Sequence, residues 1–180
     1  MYLSYLFSYK PSYVAISWVS AMLYALDEIN KNDTLLPGIK IGYDIRDSCD
    51  SVELAAQYAL SYLVDKDYYA GGKSNLVGVI GGARSSVSTL VNNIVSTEYI
   101  PQISYSASSA ALSTSWKYRS FLRTVPSDKH QATAIVDLVQ FFGWSYVSAF
   151  AIDNDYGRLG LEELQAAVKK AGLCLSLIHI

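Results

Sequence analysis

Metal and redox chemistry have little to draw on in this sequence, whose 180 residues include two cysteines and two histidines. Cys49 and Cys174 lie far apart without CxxC or Cys/His spacing, so neither a zinc site nor a dithiol couple is encoded. On composition alone they read equally well as two buried thiols. His130 falls in the first turn of a predicted helix and reads as solvated. A GxSxG elbow with an oriented His/acid pair is missing, as are GxGxxG and GxxxxGK[ST], which removes the hydrolase, dinucleotide and phosphate-loop readings. No catalytic residue, metal ligand or cofactor site is assigned, and the chain does not read as an enzyme. Charge is sparse and balanced, 14 basic against 16 acidic residues for a net −2, with no cationic stripe to track phosphates, so nucleic acid is excluded as a partner. Long apolar runs are missing too. The longest uncharged stretch, Pro11 to Leu26, is broken by Ser12, Ser17 and Ser20 and falls short of the about 20 residues that cross a bilayer. It reads as a buried helix.

What is present is 51% apolar residues, enough for a folded chain of one domain or one and a half. Met1 to Tyr9 lacks the basic start and small-residue cleavage site of a signal peptide, so the authentic amino terminus is expected elsewhere. Val14, Trp18, Met22, Ala25 and Ile29 form one helical stripe that stops at Asn30-Lys31-Asn32-Asp33. Ile39 to Arg46 alternates with period two, a strand with one wet face. Ser51 to Leu63 is helical, with Val52, Ala55, Ala56, Ala59 and Leu63 inward and Ser51 as cap. Leu76 to Ile80 is a continuous apolar run, as in a strand buried on both faces. A helix from Ser85 or Ser86 to about Thr97 follows, then strands at Ile100–Ser104 and Phe121–Val125, a helix at Asp128–Phe142, a strand at Tyr146–Ile152 and a helix at Tyr156–Ala171. This alternation is the rhythm of βαβ units, and the predicted fold is an open α/β parallel sheet with helices on both faces. Leu175 to Ile180 carries no turn signal and matches the translation of a common sequencing-adaptor sequence, so it is expected to be a non-native tail.

Ligands of such sheets bind beyond the carboxyl ends of the strands, which directs attention to three loops. Gly81 to Ser86 joins a buried strand to a helix, where backbone amides and the Ser85 hydroxyl can meet an anion; the competing reading is a plain turn capped by Ser86. Tyr105-Ser106-Ala107-Ser108-Ser109 offers hydroxyls and free amides, or is a solvated serine-rich turn. Asp153 to Arg158 precedes a helix and suits capping or ligand contact; the Tyr156 ring could cover a cation, a contact worth about 0.5–2 kcal/mol. Asp128, at another helix start, could cap amides or pair with an ammonium group. Asn32-Asp33-Thr34 is an N-glycosylation sequon just past the first helix.

Ala21-Met22, Asp27 to Asn30, Leu35-Leu36-Pro37, Gly42-Tyr43, Asp47-Ser48-Cys49, Ile100 to Tyr105, Phe121 to Asp128, Phe142-Gly143-Trp144 and Asp155-Tyr156-Gly157 occur in the order found in one family. From about Trp18 to Cys174 the chain resembles the extracellular Venus-flytrap module of class C G-protein-coupled receptors. The resemblance implies a two-lobed, type I periplasmic-binding-protein-like fold, with lobe 1 at 1–122, the start of lobe 2 at 123–174 and the tail at 175–180. It implies a free amino acid or related small ligand whose α-carboxylate meets Ser85, Ser106 and Ser108 and whose α-amino group meets Asp128 and Tyr156. One ligand would then bridge both lobes and favour their closure. It further implies a homo- or heterodimer through the helices at Ser51–Leu63 and Ser86–Thr97, a G protein as partner, the extracellular side of the plasma membrane as location, and calcium as an open co-ligand. A secreted or periplasmic solute-binding protein for amino acids is the alternative. In the family Cys49 and Cys174 enter disulfides, but their partners have no counterpart in this sequence. Arg84 could add charge beside the carboxylate or point to solvent, and the lack of a basic residue between Pro11 and Ser20 argues against glutamate selectivity.

Overall fold

In the computed structural model, residues 2–7, 13–64 and 76–179 are described. They form strands and helices in strict alternation for most of the chain: β1 (Tyr2–Phe7), α1 (Tyr13–Lys31), β2 (Gly42–Asp47), α2 (Val52–Val64), β3 (Leu76–Ile80), α3 (Ser85–Val95), β4 (Gln102–Ser104), β5 (Phe121–Arg123), α4 (Asp128–Phe141), β6 (Tyr146–Ala151), α5 (Asp155–Lys170) and β7 (Cys174–His179). Short 3-10 turns occupy Ser96–Glu98 and Ala110–Ser113. The chain divides into two compact units, residues 1–107 with 118–124, and residues 108–117 with 125–180. All strand pairing is parallel, as crossover helices require, and the fold is α/β with parallel sheets, of the periplasmic-binding-protein-like kind.

The first unit holds a five-stranded sheet in the order β2-β1-β3-β4-β5. Between β2 and β3 lies β1, whose residues the sequence pattern does not mark as a strand. Successive residues of β3 serve different cores: Val79 packs with Ala55, Ala59, Val87, Val91 and Val95 of α2 and α3, whereas Ile80 packs with Met22, Leu26 and Ile41 on the α1 side. Adjacent side chains of a strand point to opposite faces, so both faces of this sheet are covered. The side chain of Asn30 closes the α1–β2 connection: its Nδ2 donates to the Ile41 carbonyl and its Oδ1 accepts from the Ile41 amide, both at 2.8 Å.

The inward faces expected of the first two helices are met in part: Met22 of α1 and Ala55 and Ala59 of α2 are buried, with Trp18, Ile29 and Val52 packed against the cores. The buried stripe of α1 is Ala15, Met22 and Leu26, while Val14 and Ala25 are exposed. The helix is apolar nearly all round, so periodicity set its existence better than its rotation. In α2 the buried residues are Ala55, Ala59 and Tyr62. Ser51 caps α2 as expected, its Oγ accepting from the Leu54 amide at 3.1 Å.

The second unit packs α4 and α5 through Ala132, Val136, Val139, Leu161 and Val168, beside the β6–β7 pair. Residues 175–179, read from the sequence as foreign to the native chain, run in register with β6 from Val147↔Leu175 to Ala151↔His179. Backbone pairing of this kind follows from any apolar β-prone run, whatever its origin. Among the described residues no helix is long and apolar enough to cross a membrane.

Candidate functional site

The first loop singled out by the sequence leaves β3 at Gly81-Gly82 and enters α3 at Ser85. Gly81 has φ 121°, open to glycine alone, and a Cβ on Gly82 would lie 2.5 Å from Val87 Cγ1. Both carbonyls turn into a buried polar layer. Gly81 O accepts from Gln102 Nε2 at 2.8 Å, and Gly82 O accepts from the hydroxyls of Ser88 and Ser104, each at 2.8 Å. All three partners are fully buried. Ser86, the cap expected under the plain-turn reading, is exposed; the N-cap position is Arg84, which makes no side-chain capping bond. The expectation fails because the helix begins at Ser85, two residues earlier than a Ser86 cap requires, which places Ser86 inside its first turn. Arg84 Nη2 pairs with Asp50 Oδ2 at 2.6 Å, so its charge is turned towards the loop after β2.

The second loop departs from expectation in its amides. Ser106 and Ala107 N–H both donate to Ser104 Oγ, at 3.3 and 2.9 Å, so they are not free for a ligand. What the segment offers outward is hydroxyls. Division into units falls between Ala107 and Ser108, grouping Ser106 with Ser85 and Ser108 with Asp128 and Tyr156, whereas the sequence reading had all three serines in the first lobe.

Within the second unit three of the five expected ligand residues come together. The Ser108 and Tyr156 hydroxyls are 3.3 Å apart, and the Asp128 amide donates to the Ser108 carbonyl at 2.9 Å. Asp128 is 8% exposed and opens α4, but the cap is Ser127, whose Oγ accepts from the Lys129 amide. The Asp128 carboxylate is thus spared the capping task, and no cation among the described residues pairs with it. In the third loop, capping falls to Asn154, whose Oδ1 accepts from Gly157 N at 2.9 Å, while Arg158 engages Asp153 and Asp155. Tyr156 is left exposed, with its hydroxyl on Ser108.

Elsewhere, Asn32 is exposed and its Oδ1 accepts from both the amide (3.0 Å) and the hydroxyl (2.6 Å) of Thr34, joining the acceptor and hydroxyl residues of the sequon. Cys49 and Cys174 are both free and exposed, against the buried-thiol reading. Desolvation, then the neighbouring Asp47, raises the Cys49 pKa, which keeps that thiol protonated near neutrality. The sequence reading missed Gln102, Ser104 and Ser88. Their signal was present: polar residues flanking Ile103 in a short strand next to a glycine pair.

Comparison with known proteins bears on what this arrangement belongs to. The model of the receptor family ligand binding region matches residues 17–179. The human and mouse extracellular calcium-sensing receptors are each 38% identical over 168 residues, and the pig receptor is 37% identical over the same length. These alignments cover 88% of this chain and 16% of each receptor, so the chain spans about a sixth of the length of those relatives. An α/β chain with parallel sheets, matched over nearly its whole length by a receptor ligand-binding region, belongs to that family, as an extracellular ligand-binding region of the class C G-protein-coupled receptor kind.

Proposed function

We propose that this region binds a free amino acid, or a small ligand with the same zwitterionic head, and reports it by closure of its two units. The observation that carries the reading is the grouping of Ser108, Asp128 and Tyr156: two hydroxyls 3.3 Å apart, with the Ser108 carbonyl held by the amide of Asp128, a largely buried residue whose carboxylate neither caps its helix nor meets a cation among the described residues. A carboxylate with no cation beside it is a chemically matched partner for an α-ammonium group. The α-carboxylate falls to Ser85, at the start of a helix without a side-chain cap, and to the Ser106 and Ser108 hydroxyls. Groups drawn from both units give the ligand differential affinity for the closed state, and that differential is what shifts the equilibrium.

In the same reading, the protein lies on the extracellular side of the plasma membrane, carries glycan on Asn32, dimerises through α2 and α3, and passes its signal to a G protein. The relatives are named for sensing extracellular calcium, so calcium is the co-ligand to test first. The test is a dose-response series with standard amino acids, with and without calcium, on the full-length receptor with surface expression controlled. Ser108→Ala and Asp128→Ala should each raise the half-maximal concentration about tenfold or more, since a hydrogen bond to a charged ligand contributes about 1.5–3 kcal/mol. Decarboxylated and N-acylated amino acids should both fail. Unchanged potency in the two variants would end the amino-acid reading.

A further inference from the structure

We infer that Ser104 is a positioning residue that locks the Gly81–Ser86 and Tyr105–Ser109 turns to each other through a single hydroxyl, and so sets the preference for a carboxylate; this rests on the amino-acid reading above. A serine hydroxyl has one proton to give and two lone pairs to fill. Here all three are used: it donates to Gly82 O at 2.8 Å and accepts from Ala107 N at 2.9 Å and Ser106 N at 3.3 Å. Gly82 and Ser104 lie 22 residues apart in sequence, and the two turns belong to different strand ends, β3 and β4. The backbone pairing of those strands continues the tie, because Gly81 N donates to Ile103 O at 2.9 Å.

The orientation matters more than the bond itself. In a planar trans peptide the N–H points opposite to the C=O. With Gly82 O held inward by Ser104 and Ser88, the Ala83 N–H must face away from the buried layer, towards the open end of the strands. On the other turn the same hydroxyl takes up the Ser106 and Ala107 amides, so their peptide carbonyls turn away from Ser104 and those two amides are withheld from an anion, which leaves the serine side chains to meet it. Ser104 thereby decides which turn presents amides and which presents hydroxyls. Ser88 is the natural comparison, since it touches only the Gly82 carbonyl. Both serines are fully buried, so neither is available to touch the ligand directly.

The test compares Ser104→Ala, Ser104→Thr and Ser88→Ala in the full-length receptor, reading amide hydrogen exchange of peptides covering 81–86 and 105–109, and potency for a free amino acid against its carboxamide. Ser104→Ala should speed exchange about tenfold in both peptides while β3 stays protected, and should narrow the acid-to-amide potency ratio by a similar factor. Ser104→Thr, which keeps the hydroxyl, should restore both signatures in part. Ser88→Ala should loosen only 81–86. Uniform loss of protection across the sheet, or an unchanged ratio in Ser104→Ala where the wild type discriminates acid from amide, overturns the inference and leaves the amino-acid reading intact. A wild type that responds to no amino acid overturns the reading itself and the inference with it.

Discussion

Two glycines three residues apart on α5 should answer the same substitution in opposite ways. A Cβ built on Gly157 lies 2.1 Å from the Ile152 carbonyl oxygen and 3.1 Å from its carbon. Both are backbone atoms, so no rotamer change relieves the contact, and the first turn of α5 or the end of β6 must move by roughly 1 Å. That carbonyl accepts the Asn154 amide at 2.8 Å, and Asn154 in turn caps the helix at Gly157 N. Displacement weakens both bonds, each worth about 0.5–1.5 kcal/mol net, against a gain of about 1 kcal/mol from replacing glycine in a helix. Gly157→Ala should therefore come out destabilised, by up to about 2 kcal/mol or several degrees in Tm. Gly160 has nothing within 4 Å, so Gly160→Ala should instead stabilise by about 0.5–1 kcal/mol. The assay is urea denaturation of the purified extracellular region followed by tryptophan fluorescence, with dose-response in parallel. Tyr156 adjoins Gly157 and reaches Ser108 over 3.3 Å, so the Gly157 variant should also lose potency while the Gly160 variant should not. Equal stability of the two alanine variants would refute the close approach and the account of how Tyr156 is held.

Three further outcomes follow from the first unit. Asn92 is 1% exposed and both its side-chain oxygen and nitrogen lack hydrogen-bond partners, so Asn92→Ala should stabilise by about 1–3 kcal/mol in the same denaturation assay; destabilisation would show that a bound water satisfies it. Gly82→Ala drives its methyl into the Val87 side chain, whose χ1 is fixed by the helix, and Val87→Ala should rescue it, giving a double-mutant coupling of about 1 kcal/mol or more; additive effects would reject the clash. Ser51→Ala removes the α2 cap and should cost about 1 kcal/mol of stability, with no loss ruling out the capping role.

The element order was largely legible because β3 reads as an unbroken apolar run and the stretch leading into β2 as an alternating one, with helices of helical period between the strands. β1 escaped because Tyr-Leu-Ser-Tyr-Leu-Phe sits at the terminus without flanking turn residues, and a strand is marked from sequence mainly by what bounds it. β4 is inverted: Gln102 and Ser104 are fully buried while Ile103 is 39% exposed, so a hydrophobicity pattern assigns its faces backwards. Polar residues lie inward there because the carbonyls of the glycine pair need donors, a requirement that comes from tertiary structure. Of the residues expected to meet a ligand, Ser108, Asp128 and Tyr156 are marked by their places at helix starts and strand ends and by family likeness, and the structure brings these three together. The Ser86 cap and the free amides of the serine turn were misread because each depends on where a helix begins, or which hydroxyl lies beneath, to within one residue.

The place of β1 between β2 and β3 has a consequence for how the protein is made. Residues 2–7 are synthesised before both of their neighbours in the sheet, β2 on one side after α1 and β3 on the other after α2. The sheet therefore grows outward from β1 in the order of synthesis, and until β3 emerges that strand keeps at least one open edge. An open edge during translation is an opportunity for mispairing with another nascent chain. Defects in β1 should consequently be felt as lost yield of folded protein during synthesis, long before any ligand is met.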